Sequence, residues 1–271
     1  MKKIIHMSDL HVGYKDLGDR FLKIITNLKI QKREEAGDYV IIITGDLVEN
    51  AHLQQDYSKV KEILNDLKRA GFDHVLLIPG NHDYGTGDYG DKKFVSIFKE
   101  VFYGDTKDYP RLDVIEGVAF LGLDSMAAEL YWYDSLWAEG ELGEEQLSRL
   151  QELLRTDEVR VCEKRVIYLH HHPFDARPFH ELKDSRNLNN ILTRAMAEGV
   201  SVDALLYGHN HAGEEHNGNW GIPHCYDAGS ATQKSRPFYM RWLPWFKTNS
   251  SIREIDLGDD SAASSTILEL I

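Results

Sequence analysis

Cysteine, basic charge and long apolar runs are what this 271-residue sequence has least of, and each shortage removes a class of explanation. The two cysteines, Cys162 and Cys225, fall in no CxxC pattern, so neither a disulfide framework nor a thiolate metal site is expected, and a reducing compartment fits. Lys and Arg number 31 against 44 Asp and Glu, a formal charge of −13. Affinity for nucleic acid comes mainly from Lys and Arg neutralising phosphates, so no general nucleic-acid binding is expected. An anionic substrate would need its charge offset from within, which bound divalent cations can do. No stretch approaches the roughly 18 apolar residues of a membrane span. The opening Met1-Lys2-Lys3-Ile4-Ile5 holds too short an apolar run for a signal peptide. The expected location is cytoplasmic, with no transmembrane segment. Only seven prolines are present, and no low-complexity tract, linker or repeat divides the chain, so it reads as a single domain over residues 1–271.

What is there is a series of short apolar runs that end in polar clusters. Lys3–Met7 runs into Ser8-Asp9, Tyr39–Ile43 into Thr44-Gly45-Asp46, and Val75–Ile78 into Pro79-Gly80-Asn81-His82-Asp83. Val166–Leu169 leads to three histidines and Ala204–Tyr207 to Gly208-His209. Runs of this length bounded by turn residues predict buried strands. Between them Phe21–Lys32, Tyr57–Ala70 and Glu144–Leu154 carry apolar residues at three- and four-residue intervals, which predicts helices. From Gly221 onward Ile222–Asp227, Ser251–Asp256 and Thr266–Leu270 read as strands without long intervening helices. The alternation implies an α/β fold, in which ligands sit beyond the carboxyl ends of strands, and five polar clusters fall there.

Each cluster has a chemical reading and a plainer one. Asp9-Leu10-His11 puts two side chains two residues apart, able to face one ion, but DxH alone is a weak signal that recurs by chance in surface loops. Asp46, after the apolar Val40–Ile43, offers two oxygens able to bridge two cations, or caps the next helix. Gly80-Asn81-His82-Asp83 gathers an amide oxygen, an imidazole and a carboxylate, with Gly80 free to turn tightly against a ligand; it is otherwise a polar turn. His170-His171-His172-Pro173 cannot supply three routine core histidines, so at least one is expected to face the site. Gly208-His209-Asn210-His211 repeats the spacing of Asp9 and His11, or is a solvated loop. Seven of the thirteen histidines lie in these clusters; the others default to structural or surface roles. Together the set offers nitrogen and oxygen donors and no thiolate, a mixture suited to Mn, Fe, Zn or a similar cation pair.

In order, DLH, GD, GNHD, HHHP and GHNH resemble the motifs of the calcineurin-like metallophosphoesterase family, spread from Asp9 to His211. The resemblance implies a four-layer α/β/β/α sandwich with two mixed β-sheets. It implies that Asp9, His11, Asp46 and His211 bind one metal, and Asp46, Asn81, His171 and His209 the other, with Asp46 as the bridge. His171 lies two residues before the proline, where the family's ligand usually falls, and His170 is the alternative. The resemblance further makes His82 the residue that touches the substrate phosphate and helps the leaving group depart, with Asp83 orienting it, while a metal-bridging hydroxide attacks phosphorus.

The family's protein phosphatases usually carry Asp-Arg-Gly after the bridging Asp, where this chain reads Leu47-Val48-Glu49-Asn50, and its lipid A precursor hydrolases usually carry Arg where this chain has His82. The HHHP element is similar to that of cyclic-nucleotide and glycerophosphodiester phosphodiesterases, so a small phosphoester such as a cyclic nucleotide is the expected substrate. Met7–Gly13 is also similar to the opening of DNA-repair nucleases, which makes a single-strand nuclease one alternative; a catalytically silent binding scaffold on the same fold is the other. Residues 234–249 read as an aromatic and basic insertion, with its densest part from Arg236 to Lys247, serving as lid, dimer surface, membrane-surface patch or ordered loop. Tyr131-Trp132-Tyr133 and Trp137 form a second aromatic cluster, read as packing or substrate stacking. No expectation for oligomeric state follows.

Overall fold

The computed structural model describes residues 2–87, 90–128, 139–175, 181–232, 251–258 and 264–270. The 234–249 segment and the Tyr131–Trp137 cluster lie outside them.

Among the described residues ten strands form two five-stranded mixed sheets. In the first, β1 (Lys3–Met7), β2 (Tyr39–Thr44) and β3 (His74–Ile78) run parallel, with Lys3 beside Tyr39 and Thr44 beside Ile78. The second begins with a hairpin of β4 (Arg111–Ile115) and β5 (Val118–Gly122) and continues in parallel through β6 (Lys164–Tyr168), β7 (Ala204–Tyr207) and β8 (His224–Asp227). In the first sheet β1 pairs antiparallel on its other side with the short β9 (Arg253–Asp256), which in turn pairs antiparallel with β10 (Ser264–Ile267) at the edge of the sheet.

Alternation along the strands decides the layers. Ile4, Val40, Ile42 and Ile78 join one core with the strands of the second sheet, whereas Ile5, Met7, Ile41 and Ile43 join the other with the helices α1 (Leu17–Gln31), α2 (Gln54–Arg69) and α3 (Lys93–Phe102). Both faces of β1 and β2 are thus buried, which is why they read as unbroken apolar runs. Helix α1 presents Phe21, Ile24, Ile25 and Leu28 to its sheet and α2 presents Val60, Ile63, Leu64 and Leu67, the helical spacing seen in the sequence. On the far side α4 (Glu144–Leu153) and α6 (Ser185–Ala197) cover the second sheet with Leu147, Leu150, Leu188 and Leu192; a single turn, α5 (Asp157–Arg160), precedes β6. Helices, sheet, sheet and helices make the expected four-layer arrangement.

The strand ends at the site come from both sheets: β1, β2 and β3 from the first, β6 and β7 from the second. The predicted Ile222–Asp227 strand starts later, at His224, because Asn219–Gly221 form a 3₁₀ turn whose Asn219 carbonyl accepts from the Ile222 N–H. Among the described residues no helix is long and apolar enough to cross a membrane. Ile42 lies at 0% exposure between the sheets, whereas Ile30 of α1 is 71% exposed. Ile42→Ala should therefore lower the unfolding free energy by about 2–5 kcal/mol and Ile30→Ala by less than about 0.5 kcal/mol, as read from urea denaturation; similar losses at both positions would contradict this layering.

Candidate metal centre

The loops that follow β1, β2, β3, β6 and β7 are tied to one another by their main chains. Asp9 N–H donates to Gly45 O, His11 N–H to the Asp46 carbonyl and Gly208 N–H to His170 O. Ser8 Oγ and His170 Nδ1 both donate to Thr44 O, at 2.8 and 2.7 Å. The loops meet so closely that two glycines are obligatory. A Cβ on Gly80 would lie 2.3 Å from Asp46 Oδ1, and one on Gly208 would lie 1.9 Å from Ser8 Oγ. Eight non-glycine residues among those described have positive φ, and five of them are Asp9, His11, Asp46, His209 and His211. This left-handed conformation is uncommon outside glycine and clusters at functional sites.

Around this frame the side chains form two groups sharing Asp46. In the first, His11 Nε2 is 3.8 Å from Asp9 Oδ1, 3.6 Å from Asp46 Oδ2 and 3.3 Å from His211 Nε2, and His211 Nε2 is 3.0 Å from Asp9 Oδ1. In the second, His170 Nε2 is 3.6 Å from Asp46 Oδ1, 3.1 Å from Asn81 Oδ1 and 3.2 Å from His209 Nδ1. Asp46 Oδ1 also accepts the His82 N–H at 2.9 Å. The two oxygens of one buried carboxylate thus face different imidazole groups.

Tautomers sharpen the picture. His11 Nδ1 donates to Glu49 Oε2 at 2.9 Å, His82 Nδ1 to the Glu49 carbonyl at 2.8 Å, and His170 Nδ1 to Thr44 O. In neutral His11 and His170 the lone pair is therefore on Nε2, the atom turned into the site. Asn81 Nδ2 donates to Gly87 O, so its oxygen faces the His170 lone pair. Lone pairs meeting lone pairs are stable only with positive charge between them. Burial works against a proton on His170, yet the carboxylates of Asp46 and Asp9 raise its pKa above the ordinary value; a cation would answer the same field. Asp9 responds from the other side: burial alone would raise its carboxyl, but His211 and His170 hold it at about 2. Its Oδ1 finds no aligned hydrogen-bond donor among the described residues. The Nε2 lone pairs of His11 and His170 converge with the side-chain oxygens of Asp9, Asp46 and Asn81, a donor set that fits a pair of metal ions.

Of the residues expected at the site, Asp9, His11, Asp46, Asn81, His82, His209 and His211 are brought together, whereas His171 and Asp83 lie against partners the sequence did not indicate. Of the tandem histidines, it is the alternative, His170, whose Nε2 reaches Asp46 and Asn81. His171, expected as the ligand, places Nδ1 2.7 Å from Ser125 Oγ, with its ring centroid 4.4 Å from that of His209. Asp83, expected to orient His82, is fully buried and accepts instead from the N–H groups of Leu47, Val48 and Gly80. Burial and then the charge of Asp46 push it up to about 7. It thus braces the loop carrying Asp46, while Glu49 holds the His82 ring. Glu49 and Ser125 had no signal in the sequence, since neither lies in a spaced motif. Asp227 was missed too; it binds the Ala212 and Gly229 N–H groups and so secures the His209–His211 loop.

The profile of the family described as calcineurin-like phosphoesterase matches residues 2–213. The chain is 26% identical over 230 residues to the 3′,5′-cyclic adenosine monophosphate phosphodiesterase CpdA of Haemophilus influenzae, covering 80% of this chain and 72% of that protein. A dimetal phosphatase from Danio rerio superposes with a TM-score of 0.65 at 14% identity, over 96% of this chain and 93% of that one. The purple acid phosphatase PPD1 of yellow lupin (Lupinus luteus) seeds gives 0.62 at 14% identity, over 94% of this chain and 49% of that one. Likenesses at such identity speak for the fold.

The crowding at Gly208 is open to measurement. Gly208→Ala should lower the stability of the chelator-treated protein by about 1–3 kcal/mol, the usual range for overpacking, in urea denaturation; an unchanged midpoint would mean that the β1 and β7 ends do not press together.

Proposed function

The chain belongs to the calcineurin-like phosphoesterase family and is a metal-dependent phosphoester hydrolase; from that premise we propose that it cleaves a small phosphodiester, such as a 3′,5′-cyclic nucleotide, at two cations shared through Asp46. The observation that carries this reading is the division of the Asp46 carboxylate, Oδ2 toward His11 and Oδ1 toward His170. Asp9, His11, Asp46 and His211 would hold one ion. Asp46, Asn81, His170 and His209 would hold the other, with His170 in the place first assigned to His171. The donor set suits Mn, Fe or Zn. When bound, such a pair clamps a phosphoryl group and lowers the pKa of water.

The chain's own residues supply the rest. Asp46 fixes the position of His82 by accepting its main-chain N–H, and the Glu49 carbonyl fixes the ring. With Nδ1 donating to that carbonyl, Nε2 is the atom that would carry the second proton of the imidazolium form and hand it to the departing alkoxide. Asp83 keeps the Asp46 loop from moving. The net charge of −13 supports a small substrate over a nucleic-acid strand. The Haemophilus relative, a cyclic AMP phosphodiesterase by name, supports a diester. A cytoplasmic location belongs to the same reading, supported by two cysteines that remain free thiols.

With Mn added, the protein should hydrolyse bis-p-nitrophenyl phosphate and, within a panel of 3′,5′-cyclic nucleotides, phosphomonoesters and single-stranded DNA, should prefer a cyclic nucleotide. His82→Ala should lower turnover by about 10²–10⁴-fold with both ions retained. His170→Ala should lose an ion that His171→Ala keeps. Preference for DNA would favour a nuclease, and protein that accepts no divalent ion would favour a silent scaffold.

A further inference from the structure

Glu49 is an acidic residue at the site that no spaced motif marks, and it touches two of the site's imidazoles. It follows Asp46 by three residues, its N–H donates to Val12 O at 2.9 Å, and so its main chain is tied to the loop that carries Asp9 and His11. Its carboxylate lies 2.9 Å from His11 Nδ1 and 3.9 Å from His82 Nδ1, while its carbonyl accepts from His82 Nδ1 at 2.8 Å. The rings of His11 and His82 stand edge to face with centroids 4.8 Å apart. One residue thus touches the Nδ1 atoms of both imidazoles, and both turn Nε2 elsewhere.

The arrangement has two readings. His11, Glu49 and His82 lie close enough to hold a cation themselves. Against that, both Nδ1 atoms already donate protons to Glu49, so neither offers it a lone pair; the group is satisfied as hydrogen bonds. The remaining reading is orientation. A carboxylate on the distal nitrogen of a metal-binding histidine fixes its tautomer and raises its basicity, and removing such a partner commonly lowers metal affinity about 10–100-fold.

We propose that Glu49 is a positioning residue with two separable parts: its carboxylate holds His11 for the Asp9 side of the centre, and its main-chain carbonyl holds His82. This rests on the two-ion reading of the site. Replacing the side chain then removes the first function and leaves the second, because the Glu49 main chain is anchored through Val12. A residue acting only as packing would show no such division.

The experiment is a Mn²⁺ titration of the full chain, with unbound ion counted by its electron paramagnetic resonance signal, followed by kinetics on bis-p-nitrophenyl phosphate. Wild type should bind two ions. Glu49→Ala should keep one at wild-type affinity and bind the other about 10–100-fold more weakly, and at saturating Mn²⁺ its kcat and KM should return toward wild type. Glu49→Gln, whose amide oxygen can still accept from His11 Nδ1, should fall between them. Unchanged affinity for both ions in Glu49→Ala overturns the proposal. So does equal weakening of both with a lowered melting temperature, or the loss of a third bound equivalent, which would make Glu49 a ligand. A wild-type chain that binds no pair of ions overturns the two-ion reading first, so the two failures are told apart.

Discussion

One carboxylate, buried where two sheets meet and turned with an oxygen toward each of two imidazole groups, is the constraint on which the rest of the molecule depends. Asp46 can face both ways only if five loops from separate strands close around it within hydrogen-bonding distance. Closure at that range leaves no room for a Cβ at Gly80 or Gly208. It also holds Asp9, His11, Asp46, His209 and His211 in the left-handed region, at a cost on the order of 1–3 kcal/mol each. The ladders beneath, with β1 to β3 in register and β6 to β8 beside them, hold the strained ends in place. The stability of the sandwich therefore maintains a geometry that the loops would not adopt alone.

Charge follows the same logic. The site gathers Asp9, Asp46, Asp83 and, behind the His209–His211 loop, Asp227, all buried. Burial pushes Asp83 and Asp227 up to about 7, while His211 and His170 hold Asp9 at about 2. Carboxylates crowded out of water want positive charge, and imidazoles with their Nδ1 protons committed elsewhere have lone pairs to offer. A cation pair satisfies both demands. An acidic chain can in this way present a positive centre to an anionic phosphoester, which squares the overall charge with the chemistry.

Much of this was legible from residue order because each strand announces itself by apolar content and each stops at a polar cluster. Lys3–Met7 and Ala204–Tyr207 match their predicted spans, and Tyr39–Thr44 runs one residue beyond the expected Ile43. Both faces of the inner strands are buried, so their signal is strong. The hairpin β4–β5 and helix α6 carry weaker patterns: Arg111–Ile115 alternates with charge on a half-exposed edge. The donor residues were visible as residue types at strand ends. What a linear reading could not supply was direction. Whether His170 or His171 turns inward depends on how β6 ends against Thr44 and Gly208, and whether Asp83 faces His82 or the Leu47–Val48 backbone depends on a loop from another strand. Glu49 was hidden for the same reason, since its partners come from a neighbouring strand end and from the turn after β3.

Anomalous diffraction from crystals grown with Mn²⁺ tests the central claim most directly. Two peaks should flank the Asp46 carboxylate about 3.5–4 Å apart, one beside Asp9, His11 and His211 and the other beside Asn81, His170 and His209. A single peak, or a pair that does not share Asp46, would contradict the account.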